Sequence, residues 1–276
     1  MKINGAVILL TGATGGIGRA LVDELAQREA RLLISGREGP GLTQLVADLR
    51  HRGVQAVALP ADLSSPDGAQ ALAEACLAEG VPDCVIHCAG TLHFGEFADM
   101  DAATLDRLMQ INLLSPMQLT RALLPAMQAR GSGRLLFVGS VFGSLGFPLY
   151  SAYAASKFAL RGFSEGLRRE LQAQGIGVTY AAPRFTETAL NAGAPARVAQ
   201  ALKMSRDTPA AVARRLVEAL TGNRRYRWFG LAERLFITLN SLWPGLIDRG
   251  LRGQLQQMRA LSAAPPSPPL LPRSTS

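Results

Sequence analysis

Tyr153 and Lys157 stand four residues apart in the stretch LYSAYAASKFALRG. On a helix, positions i and i+4 share one face, so the phenol and the ammonium can enter one cleft. A free tyrosine titrates near 10 and carries protons poorly at neutral pH. A neighbouring ammonium favours the phenolate and predicts a lowered pKa for Tyr153. A hundred- to thousandfold change in that protonation equilibrium corresponds to about 3–4 kcal/mol of electrostatic bias. Ser140, before Tyr153, adds a hydroxyl able to hold a ligand oxygen. Asn112 lies in the apolar setting MQINLLSP, where an amide is costly unless hydrogen-bonded. This set predicts acid–base chemistry at an oxygen.

A second cluster needs no ionisable side chain. Thr11-Gly12-Ala13-Thr14-Gly15-Gly16-Ile17-Gly18 follows the apolar run 6–11 and opens a helical segment. Glycines let the backbone turn tightly and approach a pyrophosphate closely. The helix N-terminus supplies free N–H groups for the phosphates. The next apolar run ends Ser35-Gly36-Arg37. An NAD(H) site places a carboxylate there to accept from the ribose 2′-hydroxyl, whereas a guanidinium pairs with a 2′-phosphate. Arg37 therefore predicts NADP(H) in preference to NAD(H).

The elements that must carry these groups alternate. Short apolar runs at 6–11, 31–35, 54–59, 83–88, 134–139 and 176–182 read as strands buried on both faces. Helical segments at 16–29, 41–52, 66–79, 101–129 and 150–174 separate them. Such alternation predicts an α/β fold: a doubly wound, Rossmann-like parallel sheet flanked by helices. Residues 226–230 would add a seventh strand. Residues 188–203 read as a mobile helix or flap, and Thr208-Pro209 starts a helix through Leu220. The expected organisation is a dinucleotide-binding and catalytic domain over 1–230, an amphipathic helical extension over 231–261 broken near Pro244, and a disordered Pro/Ser-rich tail over 262–276.

The spacing T-G-x-x-x-G-x-G, followed by Asn112, Ser140 and Tyr153-x-x-x-Lys157, resembles the short-chain dehydrogenase/reductase family, over roughly residues 4–230. The resemblance implies reduction of a carbonyl or oxidation of an alcohol by a nicotinamide. Ser140 would position the substrate oxygen, and Tyr153 would exchange its proton. Lys157, together with an oxidised nicotinamide, would lower the pKa of Tyr153; Lys157 would also hold the ribose, and Asn112 would link a water chain to the lysine. It also implies that Asp62 and Leu63 flank the adenine and that Cys88-Ala89-Gly90 lies near the nucleotide. The loop holding Pro183, Thr186 and Thr188 would contact the nicotinamide amide. Two positions depart from the family's pattern. Cys88 replaces an asparagine, and Arg184 replaces a glycine. Arg184 either recognises an acidic substrate group or faces solvent. Relatives that pair through the 101–129 and 150–174 helices make a homo-oligomer the expectation.

Composition narrows the partners. The chain has 276 residues and a net charge of +8. Residues 1–196 carry 16 Lys and Arg against 17 Asp and Glu, whereas residues 197–276 carry 13 against 4. A basic excess confined to the C-terminal part fits solvated helix faces or contact with anionic lipid, and no nucleic-acid partner is expected. Three cysteines, 76, 84 and 88, give no disulfide framework, and the three histidines have no metal-ligand spacing. The opening residues read as a strand rather than a signal peptide, and no apolar window is long enough to span a membrane. A cytoplasmic protein is expected. The stretch from Val141 to Tyr150 (VFGSLGFPLY), with His93 and Phe94, would supply mostly apolar walls of a pocket for a lipophilic ketone or aldehyde. The extension would act first as a lid or packing element and second as a peripheral membrane contact. The competing reading is a nucleotide-binding regulatory protein of the same fold without turnover.

Overall fold

The computed structural model describes residues 1–263. Seven parallel strands form one sheet: β1 (Val7–Thr11), β2 (Arg31–Gly36), β3 (Ala56–Pro60), β4 (Cys84–His87), β5 (Gly133–Val138), β6 (Ile176–Ala182) and β7 (Tyr226–Trp228). Their order is β3-β2-β1-β4-β5-β6-β7. Successive strand residues face opposite sides, and both sides are apolar. Ile8 and Leu10 of β1 join one core with Leu32, Ile34, Ile86 and Leu136. Leu9 joins the other with Leu33, Val85, Leu135 and Phe137.

Helices α1 (Gly16–Ala26), α2 (Pro40–His51) and α8 (Pro209–Thr221) cover the first face. Helices α3 (Gly68–Glu79), α5 (Ser115–Arg130) and α6 (Ser151–Glu170) cover the second. α4 (Ala102–Met109) follows β4, α7 (Ala194–Ala201) follows β6, and α9 (Leu231–Leu242) and α10 (Pro244–Ala263) close the described chain. Local chemistry sets several boundaries. Asp101 caps α4 by accepting from the Thr104 N–H at 2.7 Å. Thr208 caps α8 with Pro209 at its first turn. Gly131, left-handed at φ 71°, ends α5.

Two expectations change. The segment 101–129 is helical from Ala102 onward but not regular: a π-helical turn, Gln110–Leu114, joins α4 to α5. The break between α9 and α10 falls at Pro244 as the sequence predicts, but α10 runs on to Ala263, two residues into the expected tail. The rest of that tail lies outside the described residues.

Candidate active site

The strand order reverses between β1 and β4, and their carboxyl ends diverge there into a crevice. A cavity of about 970 Å³ fills it. Every expected cofactor residue lines it: Gly12, Thr14, Gly15, Gly16, Ile17, Gly18, Arg37, Asp62, Leu63, Cys88, Ala89, Gly90, Tyr153, Lys157, Pro183, Thr186 and Thr188. Ser140 lines it too, while Asn112 is fully buried behind the wall.

The glycine turn leaves room and donors for phosphates. Gly12 has φ +69°, and a Cβ there would come within 2.6 Å of the Ala89 backbone. Gly15 begins α1 in extended geometry with no side chain capping the helix, so its first N–H groups remain open to an anion. Ser35 Oγ, in the same wall, is buried without a hydrogen-bond partner among the described residues. Thr11 holds the other rim: its Oγ accepts from the N–H groups of Cys88 and Ala89, both at 3.1 Å. These features fit a dinucleotide. Asp62 is tied into a turn by the Ser64 hydroxyl at 2.6 Å and the Ser64 N–H at 2.9 Å, which hold its carboxyl below the usual range. Arg107 of α4 also lines the cavity, a residue that no motif marks.

α6 carries Tyr153 and Lys157 into the cavity on one face. The Lys157 ammonium donates to the Val138 carbonyl at 3.2 Å and lies 5.8 Å from the centroid of the Tyr153 ring. Burial pushes its pKa down to about 8. Burial also raises Tyr153, and hydrogen bonding to Ser140 opposes this. The lowering expected for Tyr153 joins the ammonium with an oxidised nicotinamide; from the chain's own groups the shift runs upward, because loss of hydration exceeds the effect of the Ser140 hydrogen bond. The Cys88 thiol, beside Lys157, is held up at about 12 by burial and stays protonated.

The π-turn accounts for Asn112. One extra residue in the turn directs its amide into the protein instead of along the helix face. Its Nδ2 donates to the Thr91 carbonyl at 3.0 Å and to Ser156 Oγ at 3.1 Å, and its Oδ1 accepts from the Thr91 N–H at 2.8 Å. It thereby fixes the loop after β4 to α6, one residue before Lys157.

Two residues that sequence reasoning passed over or misplaced hold the site in shape. The buried hydroxyl of Tyr180, on β6, lies 3.4 Å from the N–H of Ser140, the carbonyl of Ser140 and the carbonyl of Lys157. It fits only because positions 139 and 143 are glycines, where an added Cβ would approach Tyr180 to 2.2 Å. Arg184 neither faces solvent nor stands free for a substrate acid. It binds Asp207 through two hydrogen bonds of 2.9 Å and lies 3.6 Å from Glu233 of α9. Arg215 reaches the same Asp207 at 3.3 Å.

The far half of the cavity is apolar. Of the stretch 141–150, Val141, Phe142, Leu145, Phe147 and Tyr150 line it, whereas Pro148 and Leu149 do not. Tyr150 is ringed by Phe94, Phe142 and Phe147, with centroids 4.8, 4.8 and 6.1 Å away. Phe94 backs this wall from behind, and His93 is not part of the lining. Phe236 and Leu239 of α9 and Leu246, Ile247 and Leu251 of α10 complete it. Met258 packs α10 against Leu149 and Val198, and Arg259 pairs with Glu96 at 2.5 Å.

This is the architecture of a dinucleotide-dependent oxidoreductase, and comparison narrows the class. The family model for short chain dehydrogenases matches residues 6–198, and the chain belongs to that family. It is 32% identical to the ketoacyl reductase HetN of Nostoc sp. over 220 residues, which cover 79% of this chain and 76% of the relative. A short-chain dehydrogenase from Sphingobium yanoikuyae, solved with NADPH, is 28% identical with a TM-score of 0.75, covering 88% of this chain and 95% of that one. A short-chain dehydrogenase/reductase from Burkholderia phymatum, solved with NAD, superposes over 98% of this chain and 99% of its own with a TM-score of 0.80 at 22% identity.

Proposed function

We propose that the protein transfers hydride between NADP(H) and the carbonyl or alcohol carbon of a lipophilic substrate. The observation that carries this reading is the place of Tyr153. Its ring neighbours the apolar half through Tyr150, 6.3 Å away, and the dinucleotide half through Lys157. A carbonyl held there has its oxygen at a proton donor and its chain among aromatic and aliphatic side chains.

Ser140 orients the substrate oxygen by hydrogen bonding. Tyr153 gives that oxygen a proton and starts in the protonated form, because burial raises its pKa. Below about pH 8, Lys157 keeps its charge and stands ready to bind the ribose and to stabilise the phenolate left behind. Asn112 keeps α6 and the loop after β4 in register. A bound nicotinamide supplies or accepts the hydride at the carbon. Arg37, exposed at the end of β2, would pair with a 2′-phosphate.

The name of the Nostoc relative makes a ketoacyl carbonyl a natural first substrate class to try. The reading places the reaction in the cytoplasm. It also has the chain assemble with its own copies; Leu114 and Phe158, both exposed, lie beside α5 and on α6, the elements that would pair. The test of function is NADPH oxidation against ketones and 3-oxoacyl thioesters of increasing chain length. Turnover that rises with chain length supports the reading. Turnover confined to short polar ketones overturns the lipophilic assignment.

A further inference from the structure

α9 is a helix whose apolar residues are not spent on a core: none of its twelve residues is buried. Leu231, Leu235 and Leu242 recur at i, i+4 and i+11, one stripe of the helix. The stripe continues across the turn at Pro244 into Trp243 and Leu246. With Phe236 these six side chains are between 51% and 82% exposed. A soluble surface seldom gathers so much contiguous apolar area without a use.

The patch is joined to the cavity. Phe236 and Leu246 belong to both, since each is more than half exposed and each lines the cavity wall. The mouth of the apolar half therefore opens at the patch. The same two helices carry the exposed arginines 234, 249 and 252, with Asp248 the one exposed carboxylate among the described residues of α9 and α10. These lie in the C-terminal part that holds 13 basic against 4 acidic residues.

We infer that this face docks on an anionic lipid bilayer. Leu231, Leu235, Leu242 and Trp243 enter the boundary between headgroups and acyl chains, and the arginines take the headgroup phosphates. A lipophilic substrate then passes from the acyl layer between Phe236 and Leu246 to Tyr153; this last step rests on the function proposed above, whereas the docking does not. Charge decides between a membrane and a second copy of the chain. A two-fold contact through the patch gathers the arginines of both copies at one interface with only Asp248 of each as an exposed counter-charge on these helices, whereas anionic headgroups neutralise them. Among the described residues no helix is long and apolar enough to cross a membrane, so the contact is peripheral.

The test uses the full chain with vesicles of phosphatidylcholine, with and without phosphatidylglycerol. Co-sedimentation with the anionic vesicles, weakened by salt, and a blue shift of tryptophan emission are expected. The double variant L235E/W243E alters exposed residues outside the cavity lining. It should lose about tenfold or more in vesicle affinity, while its melting temperature and its turnover of a short water-soluble ketone stay unchanged. A chain that remains in the supernatant overturns the proposal. So does a dimer that the double variant splits, which would give the patch to a second copy. Binding equal on neutral and anionic vesicles overturns the role of the arginines. Vesicle binding without turnover of any ketone would leave the docking standing and remove the proposed activity instead.

Discussion

Lys157 is a charge held where the fold alone would not keep one. Its side chain is buried, and its pKa falls from an ordinary 10.5 to about 8 because burial strips its hydration. The sign of the linkage follows. Between pH 8 and 10.5 the unfolded chain binds more protons at this site than the folded chain, so stability rises with pH across that window. Below about pH 8 the folded state carries the full penalty, roughly 3 kcal/mol at about 1.4 kcal/mol for each tenfold change. Lys157→Met keeps most of the side-chain volume and removes the charge. It also removes the bond to the Val138 carbonyl, worth about 1 kcal/mol. The cofactor-free variant should therefore be more stable than the parent by about 2 kcal/mol at pH 7, or roughly 4 °C in melting temperature, and the gap should close near pH 10. Thermal or urea unfolding at the two pH values measures it. A variant less stable than the parent at pH 7, or a gap that does not change with pH, would refute the argument that the lysine is retained for chemistry at a cost to the fold.

Other perturbations test the parts around it. Tyr180→Phe removes a hydroxyl shared among Ser140 and the Lys157 carbonyl; kcat should fall about tenfold with KM unchanged and a stability loss of about 1 kcal/mol, and an unaltered kcat would show that the hydroxyl positions nothing. Arg184→Gly leaves the buried Asp207 with Arg215 alone and strips Glu233 of its partner, so a loss of about 3 kcal/mol is expected in urea unfolding; no loss would make the pair incidental. Arg37→Ala should weaken NADPH about tenfold or more relative to NADH, measured by calorimetry, and equal losses for both would remove the 2′-phosphate assignment.

Much of the scaffold was legible because it rests on local patterns. The strands of the sheet are short apolar runs, and the glycine turn sits between the first run and the first helix, so the place of the crevice was legible from pattern, while Asp62, Leu63, Cys88 and the 183–188 loop were placed on its wall by the family resemblance alone. The π-turn was not legible, since apolar spacing continues across 101–129 and one inserted residue does not interrupt it. Arg184 was undecidable because its partners, Asp207 and Glu233, lie far along the chain. Tyr180 hides in the apolar run of β6, where nothing marks its hydroxyl as different from core. The upward pull of burial on Tyr153 was not legible, because a sequence shows the neighbouring ammonium and not the depth of burial. Which side chains of α9 and α10 complete the cavity wall was not legible, because amphipathic spacing suits any surface helix.

The central claim is that Tyr153 is the proton donor of a working reductase, and one comparison addresses it directly: single-turnover NADPH oxidation at 340 nm by the parent and by Tyr153→Phe, on the best ketone of the chain-length series, with NADPH affinity measured on both. The account expects NADPH affinity within about twofold and a rate constant lower by about a thousandfold or more. A variant that turns over at near the parental rate would contradict it, as would a parent that binds NADPH tightly and oxidises it with no substrate of the series.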